Sequence, residues 1–214
     1  MTELVLASGS PARLATLRAA GIDPIVLVAD VDEPAALAAA LAARPDLSPA
    51  GQVLALARAK AEAVLAAAPA GALVLGCDSM LELDGQVLGK PAGPAEAKLR
   101  IRQQSGRQAV LHTGHWLARQ APAEPGGRGR GEGAASSTVV RFGQMTEAEI
   151  DAYVATGEPL AVAGAFTIDG LGGPFIDGID GDHHGVVGLS LPVLRALLGR
   201  FGLSVVELWR PGVL

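Results

Sequence analysis

Apolar residues in this chain gather in short runs broken by small polar turns. The run at 4–7 predicts a strand; it breaks at Ser8-Gly9-Ser10, and Pro11 opens a helix reaching about residue 20. Ser10 suits the N-cap of that helix, Pro11 its first position and Gly21 the residue just past its end. Residues 24–28 predict a second short strand, and an acidic turn at 30–34 leads into an alanine-rich segment. Ser48-Pro49 begins a long helix to about residue 68. The continuous apolar run at 73–77 has the character of a central strand buried on both faces, and Asp78 follows it directly. Asp84-Gly85, flanked by the apolar stretches 80–83 and 86–88, predicts a two-residue hairpin.

Beyond the hairpin, Gly93-Pro94 opens a helix to about residue 104, and strands are expected at 110–118 and 137–142. Between them, residues 120–135 are rich in Gly, Pro, Arg and Ala and read as a flexible hairpin loop. Thr146 and Glu149 form a capping-box pattern that starts a helix to residue 156. A glycine-rich stretch at 164–188, a helix at 191–200 and a last strand at 203–208 complete the pattern. Strands and helices alternate in the first half, and an antiparallel hairpin enters later. The expectation is a single α/β domain over 1–214, a mixed central sheet with helices on its faces. No internal repeat and no linker interrupts it.

Composition narrows the picture. Half of the 214 residues are hydrophobic but only 3% are aromatic, so the core must be built from Ala, Val, Leu and Ile. A net charge of −5 argues against coating a nucleic acid polymer, though not against a local basic pocket for one small polyanion. The single cysteine, Cys77, excludes an internal disulfide framework and suits a reducing compartment. No signal peptide and no bilayer-spanning run is apparent, so the expected location is cytoplasmic. Basic residues are nearly all arginine. Against that bias the three lysines, Lys60, Lys90 and Lys98, stand out, and the first two are the better candidates for compact point charges.

Candidate chemistry sits at element ends. The Ser8-Gly9-Ser10 turn before a helix is a ready phosphate site, because unpaired N–H groups and the helix dipole both favour an anion, and Arg13 lies within reach. Asp32-Glu33, Lys60, Asp78-Ser79 and Lys90 add acids and bases at other turns and on the long helix. Ligands of open α/β sheets bind beyond strand ends, so these groups have a place to converge. Acids beside bases beside a hydroxyl-rich turn suggest a divalent cation holding a polyphosphate. His183-His184 makes a poor chelate on its own, and Cys77, ahead of Asp78 in a buried strand, reads as a small hydrophobe rather than a nucleophile.

Taken together, Ala7-Ser8-Gly9-Ser10-Pro11-x-Arg13, Asp32-Glu33, Ala57-Arg58-x-Lys60-Ala61, Gly76-x-Asp78, Asp84-Gly85-x-x-Leu88-Gly89-Lys90-Pro91, Ser105-Gly106 and Ala163-Gly164-Ala165-Phe166 resemble the Maf family. Gly170-Leu171-Gly172 and Val186-Val187-Gly188-Leu189 extend the resemblance over nearly the whole chain in the right order. It implies a fold related to the inosine triphosphate pyrophosphatases. It further implies hydrolysis of a nucleoside triphosphate to the monophosphate and pyrophosphate with Mg²⁺ or Mn²⁺, and a homodimer. By position Asp78 would be the proton acceptor. Ser8, Arg13, Lys60 and Lys90 would hold the phosphates, with Ser10 also on the substrate. Glu33 and Asp78 would place the metal, and Ser79 and Asp169 would complete the substrate site.

The chain departs from the family pattern at three places. Ala12 stands where many relatives carry a second arginine, Ser79 where pyrimidine-selective relatives carry threonine, and Asp169 where those carry glutamine. A glutamine amide pairs with the N3–H and a carbonyl of uracil or thymine, whereas a carboxylate only accepts and suits a base offering two donors, such as guanine. The alternative reading is a non-catalytic nucleotide sensor acting on septum formation, the process that gives the family its name.

Overall fold

The computed structural model describes residues 2–119 and 129–210. Seven strands are hydrogen-bonded in the order β2-β1-β3-β5-β6-β7, with β4 paired to β3. They are β1 (Leu4–Leu6), β2 (Ile25–Val26), β3 (Leu73–Leu83), β4 (Gln86–Leu88), β5 (Gln108–Arg119), β6 (Arg130–Phe142) and β7 (Ile176–Asp180). The helices are α1 (Pro11–Ala19), α2 (Glu33–Ala43), α3 (Pro49–Leu65), α4 (Pro94–Gln104), α5 (Glu147–Ala155), α6 (His183–Val187) and α7 (Leu191–Arg200). β1 runs parallel to β2 and β3, while β3–β4 and β6–β7 are antiparallel, so the sheet is mixed as the sequence pattern predicts.

Contacts divide the chain into two compact units, and β3, β5 and β6 contribute residues to both. The first draws on Met1–Asp78, Thr113–Ser136 and Gly188–Leu214, the second on Ser79–His112 and Ser137–Val187. In the first unit β1 and the start of β3 are buried on both faces, by alternation. Leu4, Leu6, Leu73, Leu75 and Cys77 pack with Leu17 of α1 and Leu194, Leu197 and Leu198 of α7. Val5, Ala7 and Val74 pack against Ala61 and Val64 of α3. The second unit holds one cluster built on Leu81, Leu83, Leu111, Val140, Phe142 and Phe166, and another in which Ala97 and Ile101 of α4 meet Ile150, Tyr153 and Val154 of α5.

Local signals placed most helix starts. Ser10, Ser48, Thr146 and Ser190 all cap their helices through side-chain oxygens. Asp84 and Gly85 take φ of 52° and 75°, the pair of positive values that a tight hairpin turn of this hand requires. Three expectations need correction. The 73–77 and 80–83 runs are one strand, since Asp78 and Ser79 continue β3. The 120–135 loop is shorter than expected, because β6 already begins at Arg130; residues 120–128 lie outside the described residues. The last expected strand is a 3₁₀ turn over Val205–Leu208: Ser204 N–H donates to Glu207 Oε1 at 2.7 Å, and this local cap competes with strand pairing. The glycine-rich stretch contains β7, which carries no apolar run to announce it. Among the described residues no helix is long and apolar enough to cross a membrane.

Candidate active site

The first unit assembles six of the nine site residues. The β1–β3 register pairs Leu6 with Leu75, and Ala7 N–H donates to Leu75 O at 2.9 Å, so the two parallel strands end side by side. Ser8 therefore emerges at the level of the residues leading to Asp78. Ser8 Oγ accepts from Ser10 N–H at 3.2 Å and from Arg13 Nη1 at 3.0 Å, while Arg13 Nε donates to Gly188 O at 2.8 Å. The turn, the helix start and the guanidinium are thus one hydrogen-bonded unit. Ser10 spends its own oxygen on the α1 cap, accepting from Arg13 N–H at 3.4 Å.

Asp78 faces α3. Val74, Gly76 and Asp78 share one face of β3 by alternation, and that face meets the helix. A Cβ on Gly76 would lie 2.0 Å from Ala57 O and 2.8 Å from Ala61 N, so only glycine lets the α3 backbone sit this close. On β5, a Cβ on Gly114 would lie 2.4 Å from Val53 O. The close approach delivers Lys60: its Nζ stands 2.5 Å from Asp78 Oδ1 and 2.8 Å from Glu33 Oε1. Lys60 and Asp78 side chains are 12% and 8% exposed, against 51% for Glu33, so one carboxylate of the triad is buried and the other reaches in from solvent.

The acidic pair at the start of α2 divides its labour. Asp32 is the N-cap, its Oδ1 accepting from Ala35 N–H at 2.9 Å, and Glu33 alone turns to Lys60. Burial pushes the Asp78 carboxyl above its ordinary range. The Lys60 ammonium, through charge and hydrogen bond, and the Arg13 guanidinium oppose that rise, whereas Glu33 adds to it. The neighbouring Cys77 thiol is pushed up to about 12, chiefly by burial, which keeps it neutral and matches its reading as a small hydrophobe.

Ser79, Lys90 and Asp169 belong to the second unit. Ser79 is half-buried on β3, and Lys90 and Asp169 are exposed. The turn carrying Lys90 is held at Gly89, whose carbonyl accepts from Arg100 Nη1 at 2.6 Å and from Gly164 N–H at 3.1 Å. Arg100, which also pairs with Glu96, was invisible to motif reading because its role lies in a contact eleven residues away. His184 lies within the short helix α6, where Asp182 accepts from its backbone N–H at 3.1 Å. Among the described residues no three or more His, Cys, Asp or Glu side chains converge as a self-sufficient metal cage.

A family model described as "Maf-like protein" matches residues 3–201. A protein of Streptomyces coelicolor named nucleoside triphosphate pyrophosphatase is 56% identical over 210 residues, covering 97% of this chain and 95% of the relative. Relatives of the same name from Nocardia farcinica and Saccharopolyspora erythraea are each 54% identical, the first covering 97% of this chain and 96% of its own length, the second 98% of both. With the family pattern matched from β1 to the last turn of α7, and relatives this similar along nearly their full length, the chain belongs to the Maf family.

Proposed function

We propose that the chain hydrolyses nucleoside triphosphates to the monophosphate and pyrophosphate, acting as one Maf-like domain. The observation that carries the reading is the Asp78–Lys60–Glu33 triad, in the same unit as the Ser8–Arg13 turn. Attack on the α-phosphorus needs a water stripped of a proton and cations to take up charge on the phosphate oxygens. Asp78, fixed within a rigid strand, accepts the proton. Ser8, Ser10, Arg13, Lys60, Ser79 and Lys90 bind the substrate.

The donor set suits Mg²⁺ or Mn²⁺. Glu33 and Asp78 point their carboxylates at one place, and such ions are held by one or two carboxylates with substrate phosphates supplying further oxygens. Bound there, such a cation would lower the pKa of water and polarise the phosphate. Lys60, which bonds both carboxylates, would pair with phosphate oxygens where a cation held those acids.

Asp169 reads the base. Its carboxylate accepts only, so it favours a base with two N–H donors over uracil or thymine. The enzyme is cytoplasmic and homodimeric and takes no nucleic acid polymer. The test is pyrophosphate release from a panel of canonical and modified nucleoside triphosphates with Mg²⁺ or Mn²⁺, wild type beside Asp78→Asn. Cation-dependent release that Asp78→Asn abolishes is the expected result. Tight nucleotide binding with no release by the wild type would replace the enzyme with a sensor.

A further inference from the structure

Glu158 opens the 3₁₀ turn Glu158–Ala161 and gathers four donors on one carboxylate. Oε1 accepts from the Thr167 hydroxyl, from Gly172 N–H at 3.1 Å and from the Tyr153 hydroxyl at 3.2 Å. Oε2 accepts from Leu171 N–H at 3.1 Å. Tyr153 Oη in turn accepts from Thr167 N–H at 3.1 Å. Both ends of the segment 167–172 are therefore tied to a single side chain, and Asp169 lies between them.

The tie is tight. A Cβ on Gly170 would stand 2.6 Å from Glu158 Oε2, and one on Gly172 would stand 2.5 Å from Tyr153 Oη. Gly173 N–H closes the turn on Gly170 O at 3.0 Å. Ile168 packs on the cluster around Phe142 and Phe166 and Gly172 is buried, yet the tip between them serves no core: Asp169 and Gly170 are exposed and Leu171 is 58% exposed. Ordering an exposed loop costs conformational entropy that no packing at its tip returns. Ordering in advance is what a group needs if it must meet a ligand in one geometry.

We infer that Glu158 is a positioning residue that sets base selectivity by holding the 167–172 loop so that Asp169 presents its carboxylate in a fixed place. The inference rests on the reading of Asp169 given above. Glu158 touches neither base nor phosphate; it acts through the loop. Its loss leaves Asp169 present but mobile, so discrimination between a guanine nucleotide and a pyrimidine nucleotide falls while the hydrolytic groups of the first unit stay as they are.

The experiment measures kcat and KM for GTP and UTP in wild type, Glu158→Gln, Asp169→Asn and the double variant, with backbone hydrogen exchange at Leu171 and Gly172 followed without nucleotide or cation. The expected result has three parts. Glu158→Gln raises KM for GTP roughly tenfold with the loss on KM rather than kcat. Its GTP-to-UTP ratio of kcat/KM approaches that of Asp169→Asn, and the double variant adds nothing further. Both amides exchange faster in Glu158→Gln. Gly170→Ala, which crowds the carboxylate but keeps its charge, must shift the ratio in the same direction, and it stands in if Glu158→Gln fails to fold.

An unchanged ratio in Glu158→Gln and Gly170→Ala, with a changed one in Asp169→Asn, overturns the inference alone. An equal fall of kcat for both nucleotides in Glu158→Gln makes the residue merely structural and also overturns it. An unchanged ratio in Asp169→Asn removes the base reading and this inference together, while wild-type pyrophosphate release still reports on the hydrolysis separately.

Discussion

Lys60 holds its ammonium between a buried carboxylate and an exposed one, and each partner answers a different need. Asp78 pays for its burial by desolvation, and the lysine is the largest influence opposing that cost. Removing the cation leaves a nearly buried acid without its main partner, an unfavourable state. Lys60→Met should lower kcat/KM about 100-fold, and Lys60→Arg should not restore it, because a planar guanidinium cannot take the compact place of an ammonium. Steady-state kinetics of the two variants checks this. At Glu158 burial pushes the carboxyl up, but hydrogen bonds from Thr167, Leu171, Gly172 and Tyr153 together outweigh it and hold the group below its ordinary range. The unfolded chain then binds more protons in mild acid. The stabilisation is whole above the unfolded carboxyl pKa of about 4.3 and is lost as pH falls through the lowered native value. Thermal unfolding of wild type and Glu158→Gln should therefore differ most near neutrality and converge in acid.

At the scale of elements, the site depends on how near α3 comes to the sheet. Gly76 and Gly114, on β3 and β5, each leave room only for helix backbone. Gly76→Ala must push α3 outward against main-chain atoms that cannot yield as a side-chain tip would. The expected cost is about 3 kcal/mol of stability, with activity lost as Lys60 leaves Asp78; denaturant unfolding and pyrophosphate release check both. The motif Gly76-x-Asp78 was legible in the sequence, but its reason was not, since the atoms that exclude a methyl belong to residues 57 and 61. Caps were legible with their reason, because donor and acceptor lie three residues apart at Ser10, Ser48 and Thr146. The division between Asp32 and Glu33 was not: both suit a helix start, and only the position of α3 turned the second toward Lys60.

Over the whole molecule, the net charge of −5 coexists with a local pairing of Lys60 and Arg13 with Asp78 and Glu33. Polymer binding needs a broad basic face, whereas one triphosphate needs only a few fixed cations. Titration with duplex DNA at about 0.15 M salt should therefore give no measurable complex, and binding there would contradict the reading of the charge. The two units differ in how much of them could be read in advance. In the first, apolar runs and caps announced β1, α1, α3 and the start of β3, and the ordered motifs announced the family. β7 in the second unit and the early start of β6 in the first carry few apolar residues, so pairing with neighbouring strands decided them. The sequence by itself determined the mixed α/β class, the family and the identity of the acids and bases, because periodicity, capping and motif order are local properties. Only the tertiary structure decided that Lys60 joins Asp78 to Glu33, that Gly76 makes this approach possible, and that Glu158 secures the Asp169 loop. Each of these depends on atoms brought within contact by packing between segments, and no spacing along the chain encodes that distance.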